Sequence, residues 1–71
     1  MTDERVLRLL GKKVRQLRTD RGWTQEDMGR FGFEIKYYQR IEYGSRNLSV
    51  KTLNRLATTF GVRVGQLFEF D

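Results

Sequence analysis

The chain has 71 residues, with 14 Lys and Arg against nine Asp and Glu, a formal net charge of +5, and neither cysteine nor histidine. A chain this short buries only about 60% of the surface its unfolded form exposes. The missing cysteines and histidines exclude a disulfide framework, a Cys/His zinc site and catalysis by a nucleophile–histidine pair, so stability must come from packing the 38% of residues that are apolar. No apolar run approaches transmembrane length, and the first residues carry acids rather than a long apolar signal core. The expectation is one soluble, cytoplasmic domain over residues 1–71. Positive charge on so small a chain points to a polyanionic partner. The excess is uneven: residues 1–22 hold seven basic and three acidic side chains, whereas residues 23–47 hold four of each.

There is no proline, and glycine divides the chain into short helices. The first runs from about Asp3 to Arg21, where Val6, Leu7, Leu10, Val14 and Leu17 recur at three- and four-residue steps and make one apolar stripe. Thr2 is its expected N-cap, Asp3 and Glu4 suit the first turn, and Gly22 suits the left-handed position after its end. Gly11 costs about 1 kcal/mol in mid-helix and marks close approach of another helix. Lys12, Lys13 and Arg15 read as a solvated face. A second helix, about Gln25 to Phe31, is announced by a near-capping box in which Thr24 caps and Asp27 stands at N3. That turn accounts for the adjacent acids Glu26 and Asp27. A third spans about Ile35 to Tyr43 and stops at Gly44. After the polar loop Ser45–Asn47, Ser49 caps a fourth helix from about Val50 to Phe60, and a last short one covers Val64 to Phe68. No segment alternates long enough for a strand. The fold class is therefore all-α, a compact five-helix bundle.

The third helix carries the information. At about 100° per residue, Tyr37, Tyr38 and Ile41 share one side, and Lys36, Gln39, Arg40 and Tyr43 share the other. An apolar underside with a row of long hydrogen-bonding side chains above it is what a major groove accepts. The preceding helix and its glycine turn are too closely joined for antiparallel packing, which leaves a steep crossing, the geometry of a helix-turn-helix over about residues 24–43. Trp23, Phe31, Phe33, Phe60 and Phe68 read as core, with Phe70 expected to be exposed.

Three runs, R-G-W-T-Q-E-D at 21–27, Q-R-I-E-Y-G at 39–44 and L-A-T-T-F-G-V at 56–62 followed by L-F, resemble the Cro/C1-type, lambda-repressor-like DNA-binding domains from about Leu7 to Phe68. The resemblance implies base reading by Ile35, Lys36, Gln39 and Arg40, with Glu34 next to them. It implies backbone contacts from Thr24, Gln25, Tyr43, Ser45, Arg46 and Asn47. Arg18 and Glu42 occupy the places of an ion pair joining the first helix to the third. Two departures stand out. Gly29 and Gly32 are three apart where the family has a spacing of four, so the second helix or the turn is one residue short. Glu34 caps the reading helix with a carboxylate that faces the phosphates unless backbone amides occupy it.

The implied function is sequence-specific binding of double-stranded DNA by a non-enzymatic transcriptional regulator. The expected assembly is a homodimer on a two-fold symmetric operator, joined through Leu67, Phe68 and Phe70. No cofactor, metal, membrane or small-molecule ligand is expected. The competing expectation is a protein-interaction module, such as an antitoxin-like partner, on the same scaffold.

Overall fold

A computed structural model describes residues 1–70. Three α-helices, α1 (Asp3–Asp20), α2 (Ile35–Tyr43) and α3 (Val50–Phe60), are joined by two 3-10 segments, Glu26–Phe31 and Val64–Phe68. The all-α class stands. The count of five helices is corrected, because the second and fifth are single 3-10 pieces. No strand occurs among the described residues, and no helix among them is long and apolar enough to cross a membrane.

Local chemistry fixes the helix ends. The Thr2 hydroxyl accepts from the Arg5 amide at 3.2 Å, and the Ser49 hydroxyl accepts from the Thr52 amide at 3.1 Å. The α1 helix closes one residue earlier than expected, with Arg21 as its C-cap. There the Gly22 and Trp23 amides return to the Thr19 and Arg18 carbonyls, a Schellman arrangement. At the end of α2, Gly44 holds φ +74°, and a Cβ on it would stand 2.8 Å from Arg8 backbone. Only glycine suits both the dihedral and the space.

The 3-10 form of Glu26–Phe31 answers the missing residue. A 3-10 segment rises about 2.0 Å per residue against about 1.5 Å for an α-helix, so fewer residues cover the same span. The capping box forms as a reciprocal pair: the Thr24 amide donates to Asp27 Oδ2 at 2.7 Å, and the Asp27 amide donates to Thr24 Oγ1 at 3.1 Å.

Every helical segment contributes to one core. Val14, Met28, Tyr38, Ile41, Leu56 and Leu67 are wholly enclosed, each contributing about 1.5–3 kcal/mol of apolar burial for the aliphatic side chains among them. Trp23 lies 4.8 Å from the Phe31 ring and 6.1 Å from Phe60. Arg21 crosses both Trp23 and Phe60 and donates to the Phe60 carbonyl, tying the end of α1 to the end of α3. Two expectations for the C-terminal region need correction. Leu67 is enclosed in the core and presents nothing to a partner, because the 3-10 turn directs it between α1 and α3. Phe70 is half-buried against the core beside Phe68, not exposed.

Candidate nucleic-acid interface

The reading helix is seated by a close approach of backbones. A Cβ on Gly11 would come within 2.6 Å of the Ile41 carbonyl oxygen and 2.5 Å of that of Glu42, so α1 rests directly on the last turn of α2. The same helix side carries Arg18, whose Nε donates to Glu42 Oε2 at 2.7 Å and Nη2 to Oε1 at 3.1 Å. A third bond runs from Arg18 Nη1 to the Trp23 carbonyl at 2.7 Å. The two side chains are only 9% and 4% exposed. Burial pushes the Glu42 carboxyl up, but the bonds donated by Arg18 and Gln25, with the charge of Arg18, hold it below its ordinary value. The wholly buried Tyr38 hydroxyl lies beside this pair without a hydrogen bond of acceptable geometry. Burial first, and then the Glu42 carboxylate, push that phenol well up.

At the other end of α2, the Glu34 carboxylate accepts from the Lys36 amide at 3.0 Å and the Tyr37 amide at 2.9 Å. Those two bonds, the Lys36 one first, hold its carboxyl below the ordinary value. Its charge is spent on the helix's own N-terminus, so Glu34 is a cap and is unsuited to the base-contact place beside the reading residues.

The outer face of α2 is divided. Lys36 and Arg40 are exposed, and neither side chain forms a hydrogen bond or ion pair among the described residues. Tyr43, 77% exposed, continues that row. Gln39 is half-buried and donates to Gln25 Oε1 at 3.1 Å, while Gln25 Nε2 donates to Glu42 Oε1 at 3.0 Å. Ile35 is half-buried over Gly29, where a Cβ would meet its Cδ1 at 3.4 Å. It packs across the turn as well as edging the face. In the following loop, Ser45, Arg46 and Asn47 are all exposed. Ser45 bonds back to the Arg40 carbonyl through its amide at 3.0 Å and its hydroxyl at 3.3 Å. The Arg46 guanidinium stands 5.4 Å over the Tyr37 ring, which holds it alongside α2.

Arg15 joins this group, although the sequence marked it only as solvated. It lines a shallow cleft with Thr24, Gln25 and Tyr43, beside the buried pair. The signal was available: Arg8, Arg15 and Arg18 stand three, four and seven residues from Gly11, so they flank the very contact that glycine marks. Residues 23–47, neutral by count, become positive on this side by the same logic. Of their four acids, Asp27, Glu34 and Glu42 are engaged internally by a capping turn, a helix N-terminus and Arg18. All four of their cations are exposed, and three, Lys36, Arg40 and Arg46, form no ion pair among the described residues.

Comparison with known proteins agrees with this geometry. A family model described as a helix-turn-helix domain matches residues 9–69. The uncharacterized HTH-type transcriptional regulator y4dJ of Sinorhizobium fredii is 41% identical over 56 residues, covering 78% of this chain and 73% of the relative. The crystal structure of the restriction-modification controller protein C.AhdI from Aeromonas hydrophila is similar at TM-score 0.81 and 33% identity, covering 87% of this chain and 96% of that one. The DNA-binding domain of BldD is similar at TM-score 0.86 and 27% identity, with 96% and 99% covered. The chain belongs to the Cro/C1-type helix-turn-helix family of DNA-binding transcriptional regulators.

Proposed function

We propose that the chain binds a specific operator in double-stranded DNA by placing α2 in the major groove. Lys36, Arg40 and Gln39 face base edges, with Ile35 at the margin. Thr24, Gln25, Tyr43, Ser45, Arg46 and Asn47, joined by Arg15, take the flanking phosphates. One observation carries this reading: the carboxylates around α2 are consumed internally while Lys36, Arg40 and Arg46 stay exposed. A face on which three of four carboxylates are engaged internally, leaving Glu26 at the edge of the cleft, is suited to displacing the counterions of DNA.

A single small module makes a limited interface, so tight binding calls for two copies on half-sites about one helical turn apart. With Leu67 enclosed, the dimer surface we propose rests on Phe68, 39% exposed. Light scattering on Phe68→Asp tests this, and an unchanged mass rules the surface out.

Two substitutions test the DNA reading. Arg40→Ala relaxes preference at one operator position, costing about 1–3 kcal/mol. Arg46→Ala weakens all sequences alike. Identical behaviour of the two removes the base-reading role from Arg40. The logarithm of affinity falls with that of salt, at a slope of about −0.9 per phosphate neutralised. A flat slope favours the protein-interaction reading.

A further inference from the structure

We propose that Arg55, reaching over from α3, is a positioning residue for the reading helix. Its guanidinium clamps the turn that starts α2 and so aims the base-reading residues nearest that turn, Ile35 and Lys36. This rests on the DNA-reading role of α2 proposed above.

The turn between Glu26–Phe31 and α2 leaves one backbone group over. The Gly32 amide returns to the Gly29 carbonyl and the Phe33 amide to the Met28 carbonyl, but no backbone N–H among the described residues reaches the Phe31 carbonyl. Arg55 supplies the donor from 24 residues along the chain, its Nη2 lying 3.2 Å from that oxygen. The same guanidinium stands 4.8 Å over the Phe33 ring. It also lies across Gly32, where an added Cβ would fall on it. Three consecutive residues of the turn thus meet one side chain. A planar fork can bond a carbonyl and cover a ring together, whereas a lysine ammonium is a point donor that serves one or the other.

Phe33 passes the constraint on. It is buried, and its ring meets Tyr38 on the underside of α2 edge-on at 5.7 Å. Glu34 follows it and caps α2 through the Lys36 and Tyr37 amides. The helix is therefore fastened to α3 at its start, and to α1 at its end through Gly11 and the Arg18–Glu42 pair. Arg55 is itself exposed, so its contacts hold the turn without filling the core. Ile35 and Lys36 directly follow the cap, and Arg40 lies a helical turn further on. Loosening the clamp blurs the readout at the start of α2 and spares the readout beyond it.

The test is selection of bound sequences from a random duplex pool by the full chain, with melting curves recorded on every variant. Ile35→Ala, Lys36→Ala and Arg40→Ala assign operator positions to the start of α2 and to its middle. Arg55→Met keeps the stem and removes the guanidinium, while Arg55→Lys keeps the charge and removes the fork. In each that folds, preference at the positions assigned to Ile35 and Lys36 falls roughly threefold or more, and that assigned to Arg40 holds within about twofold. Uniform weakening with every preference intact leaves Arg55 only phosphate contact or stability and overturns the clamp. Loss of fold in both variants overturns it too, as does an Arg55→Lys that matches wild type, since charge alone would then suffice. If Ile35→Ala and Lys36→Ala erase no preference, the start of α2 reads nothing and the clamp falls while reading through Arg40 stands. Enrichment of no sequence by wild type removes the DNA-reading role itself, and the clamp with it.

Discussion

The seam between α1 and α2 and the packing of α3 on the C-terminal 3-10 segment are held by different physics. At the seam, Gly11 lets backbones meet, Gly44 lies against Arg8, and the space between is filled by a hydrogen-bonded charge pair. Around α3, the contact is made by Leu56, Ala57, Phe60 and Leu67, and a Cβ added at Gly61 or Gly65 would meet nothing within 4 Å. One region fixes an orientation, and the other supplies apolar area. The orienting region is the one that carries the candidate interface.

The largest expected effects set these two mechanisms against each other. Arg18→Ala leaves the Glu42 carboxylate buried without its cation and costs about 3–5 kcal/mol. Leu56→Ala opens a cavity and costs a similar 2–5 kcal/mol, about the range for a core leucine. Urea unfolding measures both. They part in DNA binding: the folded fraction of the Leu56 variant keeps its affinity, while that of the Arg18 variant loses it. Equal retention by both would mean that the seam does not orient α2.

Next comes steric tolerance. Gly11→Ala improves helix propensity by about 1 kcal/mol, yet its methyl collides with two carbonyl oxygens of α2, for a net loss of about 1–3 kcal/mol. Gly65→Ala meets open space and shifts stability by less than about 1 kcal/mol. Thermal melts on the two variants compare the regions directly, and a harmless Gly11→Ala would show a seam looser than its backbone contacts indicate.

Acid probes the seam together with the capping turn and the start of α2. Asp27, Glu34 and Glu42 all hold their protons less readily in the fold than outside it. A depressed carboxyl contributes stability above its unfolded value, and that stability is lost as pH falls through the folded value. The chain is therefore at full stability from these groups above about pH 4.5 and weakens progressively below about pH 4. Glu42→Gln makes that acid limb shallower, leaving the share of Asp27 and Glu34, and a limb as steep as that of wild type would exclude Glu42 from it.

The smallest effect is at Tyr38. Its buried hydroxyl has no hydrogen bond, so Tyr38→Phe removes a desolvated group without breaking a contact and changes stability by less than about 1 kcal/mol. A loss beyond about 2 kcal/mol would reveal a bond from that hydroxyl into the Arg18–Glu42 pair.

Much of this was legible before folding, because the signals are local. The caps at Thr2, Thr24 and Ser49 act over two or three residues, the stripe on α1 repeats within a helical turn, and glycines punctuate each end. The buried Tyr38 and Ile41 beneath the exposed Lys36 and Arg40 follow from the same period. The resemblance also named Arg18 and Glu42, which occupy opposite sides of the seam. Other features depended on the whole chain. Glu26–Phe31 is 3-10, a form its sequence did not distinguish from an α-helix. Leu67 is inside because α1 and α3 close over it, and Phe70 folds back for the same reason.

Sequence alone determined the three α-helices, their caps and the face each would bury, since backbone hydrogen bonds and side-chain period act within four residues. Tertiary structure decided which polar groups were already taken. Glu42 meets Arg18 across 24 residues, and Gln25 meets Gln39 across 14. Such bonds exist only once packing has brought their partners together, and they determine what the surface has left to offer.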